Sequence, residues 1–125
     1  MKELGRPVSP HVTIYAFPVT ALSSITNRVT GCVLSVGCAG LGFAELVGGA
    51  GTSLYITQFI GGYSPLVAAG AKFSVAFPLV YHYLGAIRHY AWDEKPELLT
   101  NEEAEKSSIM LFGASTAISV GTMFF

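Results

Sequence analysis

The chain has 125 residues, of which 51% are hydrophobic and 12% are charged, about half the charged fraction of an average soluble domain. Its length allows one domain, and a formal net charge of -1 gives no electrostatic reason to expect a nucleic-acid partner. The charges cluster in residues 1–28 and 92–106 and leave long stretches almost free of them. This distribution favours an integral membrane protein over a soluble domain.

The chain begins with a polar arm, residues 1–28, followed by an apolar stretch of about 29–51. We expect the arm to lie outside the bilayer and the apolar stretch to cross it as a helix. That stretch carries one charge, Glu45, near its far end, where the carboxylate can reach water. It also holds Cys32 and Cys38, whose spacing and apolar setting suit two packing residues better than a disulfide framework or a zinc site.

Two further apolar segments, residues 65–91 and 106–125, complete the predicted spans. At 1.5 Å per residue the first of them is long enough to cross a hydrocarbon core about 30 Å thick. The other has no charged residue after Lys106, and Thr100 with Glu103 can cap its start. None of the three spans has a polar face of useful width. The sequence therefore predicts an all-α fold, an integral membrane bundle of three transmembrane helices in a single membrane-anchor domain.

The distribution of basic residues in the connections predicts the orientation. The segment between the first two spans, residues 52–64, has no Lys or Arg and is interpreted as an outer loop, whereas the arm and the second loop contain several. Because basic loops stay on the inner side, the arm is expected in a bacterial cytoplasm or a mitochondrial matrix. Lys72, near the outer end of the second span, is expected to snorkel to the outer surface.

Ionisable residues inside a membrane are costly, which draws attention to two histidines of the second span. His82 lies well inside that span, and a buried imidazole directed into a bundle can be an axial ligand of heme iron. His89 is seven residues further on the same face, about 10 Å along the axis, so both cannot bind one iron and a second ligand would come from another chain. Arg88 and His89 can hold heme propionates or a quinone oxygen. Equally, His82 can be a hydrogen-bonding contact between helices while Arg88 and His89 snorkel.

A polar segment, residues 23–28, precedes the first span on the inner side. Its hydroxyls and one guanidinium can donate hydrogen bonds to a quinone carbonyl at the membrane surface. The alternative is an N-cap, in which Ser23, Ser24 or Thr26 starts the helix and Arg28 binds lipid phosphate.

Three blocks of the sequence carry a family resemblance. Residues 6–15 (RPVSPHVTIY), residues 24–31 (SITNRVTG) and residues 82–89 (HYLGAIRH), followed by Trp92 and Asp93, resemble the large cytochrome b subunit of succinate dehydrogenase, a part of respiratory complex II. The blocks occur in the family's order and cover the chain up to the third span.

The resemblance implies specific roles for residues of these blocks. His82 matches the axial ligand of heme b. Ser24 and Arg28 match the family's quinone-site serine and arginine, and Ile25 would line that pocket. Arg28 and His89 would lie near the heme propionates, and the second axial histidine would come from the small cytochrome b subunit.

The resemblance also implies partners and a function. The arm would lie against the iron–sulfur subunit, a flavoprotein subunit would oxidise succinate, and lipid would surround the spans. The predicted function is a heme b- and quinone-binding anchor that passes electrons between the iron–sulfur subunit and ubiquinone or another quinone. This chain would not itself bind succinate, since it has no flavin fingerprint and no cysteine cluster. The expected location is the mitochondrial inner membrane, with the bacterial plasma membrane as the alternative.

One position departs from the family pattern. Asn27 stands where many members have histidine beside the arginine. Because asparagine carries no charge, it cannot perform the proton transfer that a histidine could. The same parts also suit a quinol:fumarate reductase, a b-type cytochrome anchor of another quinone-linked dehydrogenase, or a plain structural bundle with His82 between its helices.

Overall fold

The fold is all-helical in the part of the chain that the computed structural model describes, namely Gly5, Pro7 and residues 9–125, with the backbone alone for Val12. Two short 3₁₀ turns, His11–Ile14 and Pro96–Leu98, accompany the longer helices. Those helices are α1 (Val19–Gly48), α2 (Thr52–Tyr63), α3 (Pro65–Glu94) and α4 (Asn101–Thr122). The all-α prediction is therefore confirmed.

One of the described helices, α1, is long and apolar enough by length and composition to cross a membrane, and none of its apolar stretch is buried within the chain. The helices α3 and α4 do not reach the same standard, because Lys72 and His82 interrupt the apolar sequence of α3 and the first turns of α4 are charged. That these two helices also cross the bilayer stays a prediction.

The start of α1 differs from the predicted one. The helix begins at Val19, after Pro18, ten residues before the expected start of the span. Proline suits a helix start because it lacks the N–H that would be unpaired there. The interpretation of Ser23, Ser24 or Thr26 as an N-cap is therefore wrong, since all three lie inside α1.

The other long helices begin at side-chain caps. Ser64 Oγ accepts a hydrogen bond from the Val67 N–H at 3.2 Å, and Pro65 occupies the first position of α3. Thr100 Oγ1 accepts from the Glu103 N–H at 3.3 Å, so the predicted cap of α4 is confirmed.

The helix α2 occupies the segment that the sequence analysis interpreted as an outer loop, and Glu45 explains why it forms. One Glu45 carboxylate oxygen accepts from the Gly51 N–H at 2.9 Å and the other from the Ser53 N–H at 3.1 Å, with the Ser53 hydroxyl also donating to it. A carboxylate at a helix N-terminus satisfies unpaired N–H groups and interacts favourably with the helix dipole. Glu45 is thus a cap for α2, a role that the sequence analysis did not assign to it.

The helices pack with an unusual distribution of polarity. Among the described residues, the buried side chains are mostly small hydroxyls, together with Tyr81, Pro78 and Leu111. Large apolar residues such as Leu46 and Leu66 lie outside, each more than 80% exposed. This arrangement is the reverse of a soluble core and is typical of helices that associate through small residues in lipid. The buried hydroxyl residues are Ser23, Thr30, Ser108, Ser115 and Ser119.

Candidate functional site

His82 lies where α3 crosses α1, with its ring against the α1 backbone. Its Nδ1 is 3.0 Å from the carbonyl oxygen of Asn27, and the side chain is half-buried. A carbonyl oxygen can only accept, so Nδ1 carries the hydrogen in this contact and the lone pair of the neutral ring is on Nε2. An Nε2 lone pair is the donor that an axial heme ligand needs, and the residues present therefore fit a heme at this position.

Two glycines allow this close approach of the helices. A Cβ at Gly31 would lie 2.9 Å from His82 Cε1, closer than real Cβ atoms come to other atoms. On the facing helix, a Cβ at Gly85 would overlap the side-chain oxygen of Asn27. That oxygen is buried and has no hydrogen-bond partner among the described residues. Asn27 is therefore wedged between the helices, where its backbone carbonyl reaches His82.

A second polar contact joins α1, α3 and α4, and we call Ser23, Tyr81, Arg88 and Ser108 the Arg88 cluster. Arg88 Nη2 donates to Ser23 Oγ at 3.1 Å, and Nη1 donates to Ser108 Oγ at 3.0 Å. The Tyr81 hydroxyl donates to the same Ser23 oxygen at 2.9 Å. The guanidinium carbon also lies 4.6 Å from the centre of the Trp92 ring, a cation–π distance.

The Arg88 cluster corrects one of the two earlier interpretations of Arg88. Its terminal nitrogens each donate to a hydroxyl between helices, so the guanidinium does not snorkel to the surface. That its remaining donors hold a propionate or a quinone oxygen stays a prediction. Ser108 is held from behind, since its hydroxyl donates to the Ala104 carbonyl at 2.6 Å. The guanidinium therefore has two hydroxyl acceptors inside the bundle, and Arg88 links three helices.

The predicted quinone residues lie on the outward side of α1. Ser24, Ile25 and Arg28 are exposed, whereas the preceding Ser23 is fully buried. Successive helix residues differ by about 100° in direction, so Ser24 and Arg28 share a flank of α1 with Gly31, the residue that contacts His82. Within the described chain none of the three predicted residues has a side-chain hydrogen bond, so their polar groups remain available to a ligand or a partner.

The remaining predicted residue, His89, is exposed on the same face of α3 as His82. Its ring meets the Trp92 ring edge-on, with centroids 5.3 Å apart. The structure does not bring His89 into contact with His82 or with the outward residues of α1. In the first block, Arg6 and Val8 lie outside the described residues, and His11 stands exposed in the short turn before α1.

An apolar cavity of about 430 Å³ lies between α3 and α4. Leu84, Ile87 and Ala91 line it from α3, and the three share a side of that helix opposite to His82. Of the predicted heme and quinone residues, Arg88 lines this cavity, whereas His82, His89, Ser24, Ile25 and Arg28 do not. The body of α3 therefore separates this cavity from His82.

Comparison with known proteins decides the family. The family described as "Succinate dehydrogenase/Fumarate reductase transmembrane subunit" matches residues 2–122. The chain belongs to this family. The resemblance stated from the three sequence blocks is thus confirmed over almost the whole chain.

Relatives of this family from distant organisms are similar along the chain. The mitochondrial succinate dehydrogenase cytochrome b560 subunit of Dictyostelium discoideum is 38% identical over 119 residues, which cover 95% of this chain and 62% of that protein. The subunit of the same name from Sus scrofa is 35% identical over 124 residues, covering 96% of this chain and 72% of the relative. The chain thus spans a little under two thirds of the Dictyostelium relative. A transmembrane family whose relatives are mitochondrial confirms the predicted mitochondrial inner membrane location.

Sequence reasoning missed Tyr81 and Ser108 as members of the Arg88 cluster. It considered Ser23 only within the polar segment and as an N-cap, and the family pattern singled out its neighbour Ser24, although Ser23 is the buried one. A usable signal existed, because Arg88 in an apolar segment requires acceptors. Ser108 belongs to a series of serines spaced at seven and four residues along α4, which marks one helix face, and such a face is a natural place to look for those acceptors.

Proposed function

We propose that this chain is the heme b- and quinone-binding anchor subunit of a succinate:quinone oxidoreductase, passing electrons between an iron–sulfur subunit and a membrane quinone, ubiquinone or another. The observation that carries the proposal is the state of His82. The ring belongs to a largely apolar helix, Nδ1 donates its hydrogen to the Asn27 carbonyl, and no described residue hydrogen-bonds to the lone pair of Nε2.

The plain-bundle alternative accounts for only one of the two ring nitrogens. Contact with Asn27 is the interhelical hydrogen bond that such a bundle would use, and it needs Nδ1 alone. If lipid surrounds the half-buried ring, an unused acceptor nitrogen is costly, since polar groups in a membrane need partners. A metal ligand uses both nitrogens, one for the metal and the other for the hydrogen bond that orients the ring.

We assign the ligands as follows. His82 Nε2 would bind the heme iron, and when bound the heme supplies one-electron redox chemistry. Arg28 and His89 would lie near the propionates and provide positive charge or hydrogen bonds for them. The second axial histidine would come from the small cytochrome b subunit, because His89 is about two helix turns away and His11 lies before α1.

The quinone site would be formed on the outward flank of α1. Ser24 can donate a hydrogen bond to a quinone carbonyl, Arg28 can stabilise the negative charge that develops on its oxygens during reduction, and Ile25 can line the pocket. All three are exposed and none is engaged within the described chain, as a site completed by partner subunits requires. Electrons from a flavoprotein and an iron–sulfur subunit would reach this quinone singly.

The deciding experiment is a reduced-minus-oxidised optical spectrum of the assembled complex. We expect a b-type band in the wild-type complex, loss of that band in His82→Ala, and retention in the matched control His11→Ala, which removes a histidine from the exposed turn. A complex without any b-type band, or a His82→Ala band equal to the control, would favour the plain bundle.

The family description also names fumarate reductase, so the direction of electron flow has its own test. Succinate-dependent quinone reduction and quinol-dependent fumarate reduction are measured on the same purified complex. Faster quinone reduction supports the proposed direction, and faster fumarate reduction supports the quinol:fumarate reductase. Identification of the co-purifying subunits separates both from another quinone-linked dehydrogenase.

A further inference from the structure

We propose that Gly31 and the backbone carbonyl of Asn27 are positioning elements for His82 that fix the plane and the tautomer of its ring and lower the reduction potential of a heme bound to it. This inference rests on the proposed function, because it concerns the residue assigned as the axial ligand. It assigns the positioning of the His82 ring to Gly31 and to the Asn27 carbonyl, for which neither the family pattern nor the sequence analysis gave such a role.

The first step is steric. A Cβ at Gly31 would lie 2.9 Å from His82 Cε1, 3.3 Å from Nδ1 and 3.7 Å from Nε2. The ring therefore passes directly over the Gly31 backbone with no room for any side chain. Because an imidazole is rigid and turns as one body about two side-chain torsions, a methyl group at this position must rotate or push the whole ring, including Nε2.

The second step is the hydrogen bond. The Asn27 carbonyl oxygen accepts from His82 Nδ1 at 3.0 Å and from Thr30 Oγ1 at 2.9 Å. Within α1 this oxygen is also the expected acceptor of the Gly31 N–H, four residues later. Three donors therefore compete for an oxygen with two lone pairs. The hydrogen bond from His82 is weaker when Thr30 and the Gly31 N–H also donate to the same oxygen.

The third step links this bond to the heme. A hydrogen bond from the non-ligating nitrogen to a carbonyl raises the basicity of a metal-bound imidazole. A more basic ligand stabilises the more positively charged, oxidised iron, which lowers the reduction potential. Weakening the contact between His82 and Asn27 should raise the potential, and strengthening it should lower the potential further.

Two variants of α1 change this contact in opposite senses. In Gly31→Ala the new methyl group displaces the ring from the Asn27 carbonyl. In Thr30→Val the competing hydroxyl donor is replaced by a methyl group of similar size, which leaves more of the oxygen to His82. Gly37→Ala is the matched control, because it adds a methyl group on the same helix where nothing lies within 4 Å.

The test is performed on the assembled complex with two readouts that do not depend on turnover. One is the low-spin signal of the oxidised heme in electron paramagnetic resonance, which reports the relative orientation of the ligand planes. The other is the heme midpoint potential from a redox titration. We expect Gly31→Ala to shift the signal and raise the midpoint, Thr30→Val to lower the midpoint, and Gly37→Ala to match the wild type in both.

A Gly31→Ala complex with a wild-type signal and midpoint would overturn the inference while leaving the proposed function intact. If Gly31→Ala does not assemble, Thr30→Val decides alone, and an unchanged or raised midpoint in that variant overturns the inference. Absence of heme from the wild-type complex would instead overturn the proposed function, so the two failures are distinguishable.

Discussion

Ser23 and Ser24 are adjacent in α1, but the structure gives them opposite roles, and this contrast provides the sharpest prediction. Ser23 is fully buried in the Arg88 cluster, where its hydroxyl accepts from both Tyr81 and Arg88, whereas Ser24 is exposed. We expect Ser23→Ala to destabilise the subunit with little effect on quinone affinity. We expect Ser24→Ala to weaken quinone binding and to change stability by no more than about 0.5 kcal/mol, the usual limit for surface substitutions.

The size of the Ser23→Ala effect follows from the two donors that lose their acceptor. Arg88 Nη2 is left without a partner, whereas the Tyr81 hydroxyl retains the Ser23 carbonyl oxygen at 3.3 Å. If each lost bond has the average value measured in a membrane protein, the total is about 1 kcal/mol. If Arg88 Nη2 remains buried and unpaired, the loss rises to about 3 kcal/mol. Either value exceeds the expected effect of Ser24→Ala.

Thermal denaturation of the complex in detergent measures the loss of stability, and quinone-reductase kinetics give KM for the quinone. A double-mutant cycle with Arg88→Met provides the internal check, since two residues in direct contact should show a coupling energy of at least about 0.5 kcal/mol. Equal denaturation midpoints for Ser23→Ala and Ser24→Ala, or strictly additive effects in the cycle, would refute the reasoning.

Three further predictions follow from other contacts. Glu45→Ala should lower the thermal midpoint of the complex, because the N–H groups at the start of α2 lose their acceptors, whereas Glu45→Gln should lower the midpoint less because one acceptor oxygen remains. Gly85→Ala should reduce assembly because its Cβ overlaps the Asn27 side chain. Gly70→Ala is the control and should assemble normally, because it adds a methyl group to the same helix in open space. Heme content and subunit stoichiometry measure assembly in both variants. Arg28→Lys keeps the charge but loses the planar fork of donors, so KM for the quinone should rise about tenfold with unchanged stability; an unchanged KM would exclude a direct contact.

Much of the architecture was predictable because it depends on local properties of the chain. Long apolar segments with few charges indicate helices in a membrane environment, and the three sequence blocks identify the family. The cap at Thr100 was also predictable, since the hydroxyl and the N–H that it binds are three residues apart. By contrast, the short helix α2 was missed, because its cap is Glu45 at the end of the preceding helix, and such a contact across a turn has no periodic signature.

The sequence by itself determined the family, the helical class and the candidate ligand His82. Only the tertiary structure decided that Ser23 turns inward and Ser24 outward, and that His82 Nδ1 donates its hydrogen to the Asn27 carbonyl oxygen. The physical reason is that helical periodicity specifies which residues share a face but not which face is inside. In a helix that is apolar on every side, that choice is made by glycines and hydroxyls on the neighbouring helices.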